Sequence, residues 1–250
     1  MKRSSKELKR IARDILNNRY RVPMGAFVAV AIITTVIEMP FSLSIDSFPT
    51  VPQIVITLCA EFLILLVKQV LDAGIVIVHL NMTRGREFGI GNILLPFRSR
   101  TEQFFLAALL MSLLFLVCCG PFAACAVYCY ISAESAKLLP ALLLTGFLSV
   151  LLVVLLFLHY GFTMFFLVDD PQKGAVDALR SSRLMMKKNK FRFLYLLLSF
   201  LGWGFLVLIS FGIAALWVKP YRNQTITSFY LDCTGELDSI PVRNFKCNKR

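Results

Sequence analysis

The sequence predicts an all-α fold, a polytopic transmembrane helix bundle. Of its 250 residues 57% are hydrophobic, more than the roughly 45–50% of a soluble domain. Several apolar runs exceed about 18 residues, the length that indicates a membrane span. The formal net charge is +12. Because the basic residues lie between the apolar runs, this charge favours contact with an anionic inner leaflet over binding of nucleic acid.

Residues 1–22 predict a basic amphipathic helix that lies on the membrane surface. The segment holds eight basic residues, and its apolar residues recur at the spacing of one helix face. It is too charged for the apolar core of a signal peptide, and we expect the long apolar run that follows it to be retained as the first span. The basic residues expected to contact anionic lipid are Lys6, Lys9, Arg10 and Arg13.

A transmembrane bundle is predicted over residues 23–232, with six spans, or five if the least apolar sixth does not cross. A second basic amphipathic helix is predicted at residues 171–190, where an acidic N-cap precedes a proline at the first helical position. Its Arg180, Lys187 and Lys188 are expected to contact lipid. Residues 233–250 are expected to form a polar tail that frays. The spans are predicted at about 23–41, 53–80, 103–131, 138–168, 191–209 and 213–232.

The distribution of basic residues predicts the orientation of the chain. With six spans and the N-terminus inside, 23 of the 27 Lys and Arg residues fall in inner segments, and one, Lys137, falls in an outer loop. Lys and Arg accumulate on the cytoplasmic side of membrane proteins. We therefore expect a multi-pass protein of the cell membrane with both termini in the cytoplasm. Five spans would place the basic tail outside.

The second span carries a stripe of ionisable side chains. Glu61, Lys68, Asp72 and His79 are separated by seven, four and seven residues. These steps keep the four side chains within about 40° of one line on a helix, over a length of about 27 Å. Ionisable groups are costly in the hydrocarbon core, so we expect the stripe to face the bundle interior, a partner or water.

Two cations of the sixth span are the expected partners of this stripe. With six spans, Lys219 and Arg222 lie about 9 Å and about 14 Å below the outer end of their span, and Glu61 lies about 12 Å below the outer end of its own. We expect Glu61 to pair with Lys219 or Arg222. Lys68 and Asp72, four residues apart, are expected to pair with each other.

Motifs for catalysis or metal binding are not apparent in the sequence. The chain has two His residues, which lie on different spans, and no His or carboxylate stands at ligand spacing near the cysteines of residues 118–129. The seven cysteines do not form a disulfide framework. A nucleophile elbow or a metal-binding His pair, as in hydrolases, is also missing. We expect no enzymatic activity, no metal and no cofactor.

Several segments resemble a known family. The chain resembles, over essentially its whole length, the bacterial integral membrane family called domain of unknown function 975. The resemblance implies a membrane protein similar in outline to other six-span proteins. It implies no activity and no catalytic residues. The segments that carry it are Glu7-Leu8-Lys9, Ala178-Leu179-Arg180-Ser181-Ser182-Arg183-Leu184-Met185, Phe193, Leu198-Ser199-Phe200-Leu201-Gly202-Trp203, Gly212-Ile213, Leu216-Trp217, Pro220-Tyr221, Thr225 and Phe229-Tyr230.

Two classes of function remain open from the sequence. The first is a non-enzymatic envelope protein, with a membrane-organising or accessory role, that contacts anionic lipid and packs with a membrane-protein partner or a second copy. The second is a transporter of small solutes, or one coupled to ions or protons, that uses the polar stripe of the second span. The sequence contains neither an inverted repeat nor a pair of matching broken helices, which weighs against a transporter.

Overall fold

The computed structural model describes residues 3–43, 51–131 and 135–240, and within these ranges it contains helices and no strand. The predicted all-α membrane bundle is confirmed. Short 3₁₀ segments occupy Ile90–Leu94 and Glu236–Asp238. The helices are α1 (Ser5–Leu16), α2 (Arg21–Leu43), α3 (Val51–Arg84), α4 (Leu95–Arg98), α5 (Thr101–Ile131), α6 (Ser135–Tyr160), α7 (Thr163–Asp169), α8 (Ala175–Met186), α9 (Lys190–Leu198), α10 (Leu201–Ile209) and α11 (Ala215–Thr234).

Five segments of the described chain are long and apolar enough to cross a membrane. They coincide with the first five predicted spans and expose many large apolar side chains, which suits contact with lipid tails. α11, the predicted sixth span, does not belong to this set. The five segments are Arg21–Pro40, Val55–Arg84, Thr101–Cys129, Leu138–Asp169 and Lys190–Ile209.

α11 is a polar helix in the interior of the bundle. It packs against α1, α2 and α3, and ten of its 20 residues are buried. The hydroxyls of Thr225 and Ser228 donate to the carbonyls of Tyr221 and Gln224, at 2.8 and 3.0 Å. These buried polar groups are thus satisfied within their own helix. Because other helices cover α11, it needs little apolar surface, which explains why the predicted sixth span is the least apolar.

An aromatic cluster fixes α9, α11 and the start of α7 to one another. The rings of Phe162, Phe193 and Phe229 are all buried. Their centroids lie 4.9 to 5.7 Å apart, a separation at which aromatic rings attract each other beyond simple burial. The apolar residues of α1 pack against the same core.

Two of the apolar spans are interrupted, which the sequence did not indicate. The fourth breaks between α6 and α7, and the fifth breaks between α9 and α10. At the first break the hydroxyl of Ser182 donates to the carbonyl of His159 at 2.9 Å. At the second, Nζ of Lys9 donates to the carbonyl of Ser199 at 2.8 Å and lies 4.1 Å from the ring centre of Phe200. Side chains from α8 and α1 thus satisfy backbone groups at the two breaks.

The apolar faces of α1 and α8 are buried against protein and not in lipid. Leu8 and Ala12 of α1 and Ala178 of α8 are each 0% exposed. Lys9 does not face lipid either, and burial together with repulsion from Arg13 lowers its pKa below the ordinary value. The other six basic residues predicted to contact lipid are exposed, namely Lys6, Arg10, Arg13, Arg180, Lys187 and Lys188.

The second amphipathic helix begins at Ala175, four residues later than predicted. The carboxylate of Asp170 accepts the backbone N–H of Gln172 at 3.0 Å and closes a turn ahead of the helix. Oε1 of Gln103 then accepts the N–H of Ala175 at 3.0 Å. The acidic residue therefore shapes the turn, and the cap of α8 comes from α5.

The start of the predicted tail is held on the bundle by Arg84. Its guanidinium donates to both carboxylate oxygens of Glu236, at 2.7 and 2.6 Å, and to Asp169 at 2.5 Å. Tyr230 donates to the second oxygen of Asp169 at 2.8 Å. This inner clasp, as we call Arg84, Asp169, Tyr230 and Glu236, joins α3, α7, α11 and the last 3₁₀ segment. Residues 241–250 of the predicted tail lie outside the described residues.

Candidate functional site: a charged cavity between α3 and α11

A cavity of about 410 Å³ lies where polar side chains of α3 and α11 face each other. α2 and the junction of α6 with α7 complete its walls. The volume falls within the range of about 300–1,000 Å³ that is usual for sites that bind small ligands. Its ionisable lining residues are Lys68, Asp72, His79, Lys219 and Arg222.

The predicted stripe faces this cavity with three of its four members. Lys68, Asp72 and His79 line the wall, whereas Glu61 is exposed and does not belong to the lining. From Lys68 to His79 the helix rises about 16 Å. His79 is 1% exposed, while Lys68 and Asp72 are exposed. The stripe therefore runs from an open end at Lys68 to a closed floor at His79.

The expected pairing of Glu61 with Lys219 or Arg222 is not found among the described residues, because both cations lie deeper than Glu61. Each of them attracts the carboxylate of Asp72 instead. The depth estimate assumed that both helices begin at the same level. His79 contacts Gln224. Outward from this contact Glu61 lies about 27 Å along α3, whereas α11 begins at Ala215 only about 14 Å away, so Glu61 lies beyond the start of α11.

Positive charge is in excess on the cavity wall. In the described part of the chain the lining contains Lys68, Lys219, Arg222 and a single carboxylate, Asp72. Lys68, Lys219 and Arg222 all attract the carboxylate of Asp72. The expected ion pair of Lys68 with Asp72 is not found among the described residues. The cations also repel one another. Nζ of Lys219 lies 4.3 Å from the ring centre of Phe27 on α2, within range of a cation–π contact.

A hydrogen-bonded relay at the floor fixes the protonation of His79. The hydroxyl of Thr83 donates to the carbonyl of His79 at 2.8 Å, so its oxygen accepts from Nε2 of Gln224 at 2.6 Å. The amide oxygen of Gln224 therefore points at Nδ1 of His79, at 2.7 Å. An oxygen acceptor at Nδ1 requires a proton there. Nε2 of His79 is then an acceptor, and it has no partner among the described residues.

Sequence reasoning missed Gln224 and Thr83 as part of the site. Gln224 carried a signal, since a buried amide in a membrane helix normally finds a partner on another helix. Thr83 carried none, because a lone threonine near the end of a span is common. The contact depends on which face of α11 meets α3, and the weak periodicity of α11 does not define that face.

Metal ligands are not clustered in the part of the chain that the structure describes. No group of three or more His, Cys, Asp or Glu side chains there could hold a metal ion. The six cysteines within the described ranges form no disulfide bonds with one another.

The amino-acid sequence matches a known protein family. The model of a family described as protein of unknown function, DUF975, matches residues 1–236. The chain belongs to this family. The match extends over every helix from α1 to α11, and the resemblance inferred from the sequence is confirmed. No curated protein and no solved structure matches this DUF975 protein.

Proposed function

We propose that this DUF975 protein is a non-enzymatic membrane protein that binds the phosphate group of an anionic lipid in the cavity between α3 and α11. The observation that carries the proposal is the excess of cations, Lys68, Lys219 and Arg222 against Asp72, on one cavity wall. Charges at the depth of the membrane are costly unless a counter-charge or water meets them. An anion that enters the cavity supplies that counter-charge.

Phosphate suits these side chains. Arginine presents two parallel N–H donors that match phosphate oxygens, and lysine acts as a compact positive charge. Arg222 and Lys219 lie one turn apart on α11, so both can reach the same group. Asp72 offsets part of their charge, and the remaining positive charge is available to an anionic ligand.

A lipid is favoured over a free anion by the surface that leads out of the cavity. Phe157 of α6 lines the cavity and is 42% exposed. Val154 and Val150 continue the same helix face outward, at 39% and 64% exposed. An acyl chain attached to a phosphate in the cavity would lie along this apolar face.

We further propose that the protein lies in the cell membrane with both termini in the cytoplasm. The concentration of Lys and Arg in the predicted inner segments supports this orientation. The six exposed basic residues of α1 and α8 would then meet the anionic inner leaflet through charge alone, at about 1 kcal/mol for each residue near the surface. A membrane-protein partner or a second copy is compatible with this role.

Thermal unfolding of the purified protein in neutral detergent tests the proposal. Phosphatidylglycerol at about 100 times its Kd is expected to stabilise the protein by about 2.7 kcal/mol, or about 5–10 °C in Tm. Phosphatidylcholine is expected to give no shift. Inorganic phosphate and glycerol 3-phosphate carry the phosphate group without acyl chains. Full stabilisation by either of them would show that the cavity binds a free anion and would contradict the proposal that its ligand is a lipid.

Matched variants locate the site. Lys219→Gln combined with Arg222→Gln is expected to abolish the shift with phosphatidylglycerol. Lys187→Gln combined with Lys188→Gln, which removes the same charge from the exposed surface of the inner segments, is expected to retain it. Loss of the shift in the second pair and retention in the first would place lipid binding on the surface and refute the cavity.

A transporter is the second candidate, and the break between α6 and α7 favours it. Interrupted helices commonly form the binding sites of transporters, and Gly161 at this break lines the cavity. A transporter predicts that proteoliposomes take up a labelled anion and that Asp72→Asn stops uptake while the protein still accumulates. Binding of lipid without flux of any anion favours the first candidate.

A further inference from the structure

The charged side chains that line the cavity have no hydrogen-bonded partners of their own. Lys68, Asp72, Lys219 and Arg222 form no ion pair with any described residue, and none of their side chains makes a hydrogen bond within the described ranges. The inner clasp shows the opposite arrangement, because there the guanidinium of Arg84 donates to two carboxylates. The N–H donors of the three cavity cations are therefore available to a ligand.

The cavity lining has two positive charges in excess. Three cations and one carboxylate give this balance, and His79 adds no charge because its Nδ1 carries the proton and its Nε2 is an acceptor. Among the described residues, α2, α6 and α7 contribute no ionisable side chain to the lining. Lys68 and Arg222 both repel Lys219, and all three cations attract Asp72. They therefore act together on whatever occupies the cavity.

From this balance of charge we propose that the bound lipid carries a phosphomonoester, a terminal phosphate with two negative charges. The inference rests on the proposed function and names the class of its ligand. A phosphomonoester carries about 1.5 to 2 negative charges at neutral pH and presents three acceptor oxygens, whereas a phosphodiester carries a single charge. Two charges neutralise the excess on the wall, and three oxygens provide one acceptor for each of Lys68, Lys219 and Arg222.

Two anionic lipids that differ in charge test this inference on the unaltered protein. Phosphatidic acid is a phosphomonoester, and phosphatidylglycerol is a phosphodiester. In titrations of the full chain in phosphatidylcholine nanodiscs at about pH 8.5, phosphatidic acid is expected to bind about tenfold more tightly, because its second charge meets the excess of cations. Equal affinity would overturn the inference and leave the proposed function intact. Failure to bind either lipid above phosphatidylcholine would instead refute the proposed function.

The pH dependence of this preference separates the effect of charge from that of headgroup size. The second pKa of a phosphomonoester is about 6, so at about pH 5 phosphatidic acid has lost its second charge, while phosphatidylglycerol keeps its single one. The ratio of the two affinities is then expected to fall from about ten to about two. Titration of Asp72 or His79 would affect both lipids, and the ratio corrects for it. A ratio that stays unchanged at the lower pH would overturn the inference.

Single substitutions assign the preference to the cavity. Lys68→Gln lowers the excess to one charge and Asp72→Asn raises it to three, so at about pH 8.5 the ratio is expected to become about three and about thirty, respectively. Lys187→Gln, which removes a charge from the exposed surface, is expected to keep the ratio near the wild-type value. A change in Lys187→Gln without one in Lys68→Gln would place the preference on the surface and overturn the inference. Displacement of phosphatidic acid by an equal concentration of glycerol 3-phosphate would refute a lipid as the ligand.

Discussion

Replacement of Arg84 by glutamine removes the centre of the inner clasp. Its side chain is 12% exposed, and those of Asp169 and Glu236 are 23% and 33% exposed. Loss of one partner of a fully buried ion pair costs about 3–5 kcal/mol, and partial solvation of the two carboxylates reduces this cost. We expect the variant to lose about 3 kcal/mol of unfolding free energy.

This loss corresponds to a decrease of about 6–12 °C in Tm, at about 2–4 °C per kcal/mol. Scanning fluorimetry of the purified protein in detergent measures it. Arg86→Gln is the matched control, because Arg86 is exposed two residues further along the chain, and we expect its Tm within about 1 °C of wild type. In a Glu236→Gln background, Arg84→Gln should cost less than it does alone. Equal costs in both backgrounds, or an unchanged Tm in Arg84→Gln, would refute the clasp.

Two further variants test the packing and the corrected depth of the stripe. A Cβ at Gly74 would lie 2.3 Å from the carbonyl oxygen of Ile93, which backbone atoms cannot accommodate, so Gly74→Ala is expected to cost about 2 kcal/mol and to lower Tm by about 4–8 °C. An unchanged Tm would mean that the segment Ile90–Leu94 does not pack on α3. Glu61→Gln is expected to leave Tm and lipid binding unchanged, because Glu61 lies outside the cavity. A loss as large as that of Arg84→Gln would restore its pairing with Lys219 or Arg222.

The positions of the spans could be predicted from the sequence because long apolar runs have few alternatives in a folded chain. The five segments that can cross a membrane match the predicted ones closely. The polar stripe was also predictable, since helical spacing alone places Lys68, Asp72 and His79 on one face. The interior position of α11 was not predictable, because a helix surrounded by other helices can be polar on any side.

The partners of charged residues could not be predicted from depth along each helix. That estimate requires both helices to begin at the same level, and the extension of α3 beyond the start of α11 breaks the assumption. Asp169 stands next to the acidic cap predicted for the second amphipathic helix, and its contact with Arg84 depends on where α7 ends beside α3. Such contacts join residues that are 85 positions apart, and no local pattern encodes them.

The amphipathic helices show how one pattern can have two physical causes. An apolar face on a basic helix is typical of a helix that inserts into the lipid interface, and it is equally typical of a helix that packs on protein. Composition does not separate the two. α1 packs mainly on the polar helix α11, and the sequence left open whether that helix crosses the membrane.

The most direct test of the central claim is an experimental structure in nanodiscs that contain phosphatidylglycerol, with an antibody fragment to aid alignment. We expect density for a phosphate group within hydrogen-bonding distance of Lys219 and Arg222. A cavity closed by side chains, with Glu61 paired to Lys219 or Arg222, would contradict the account.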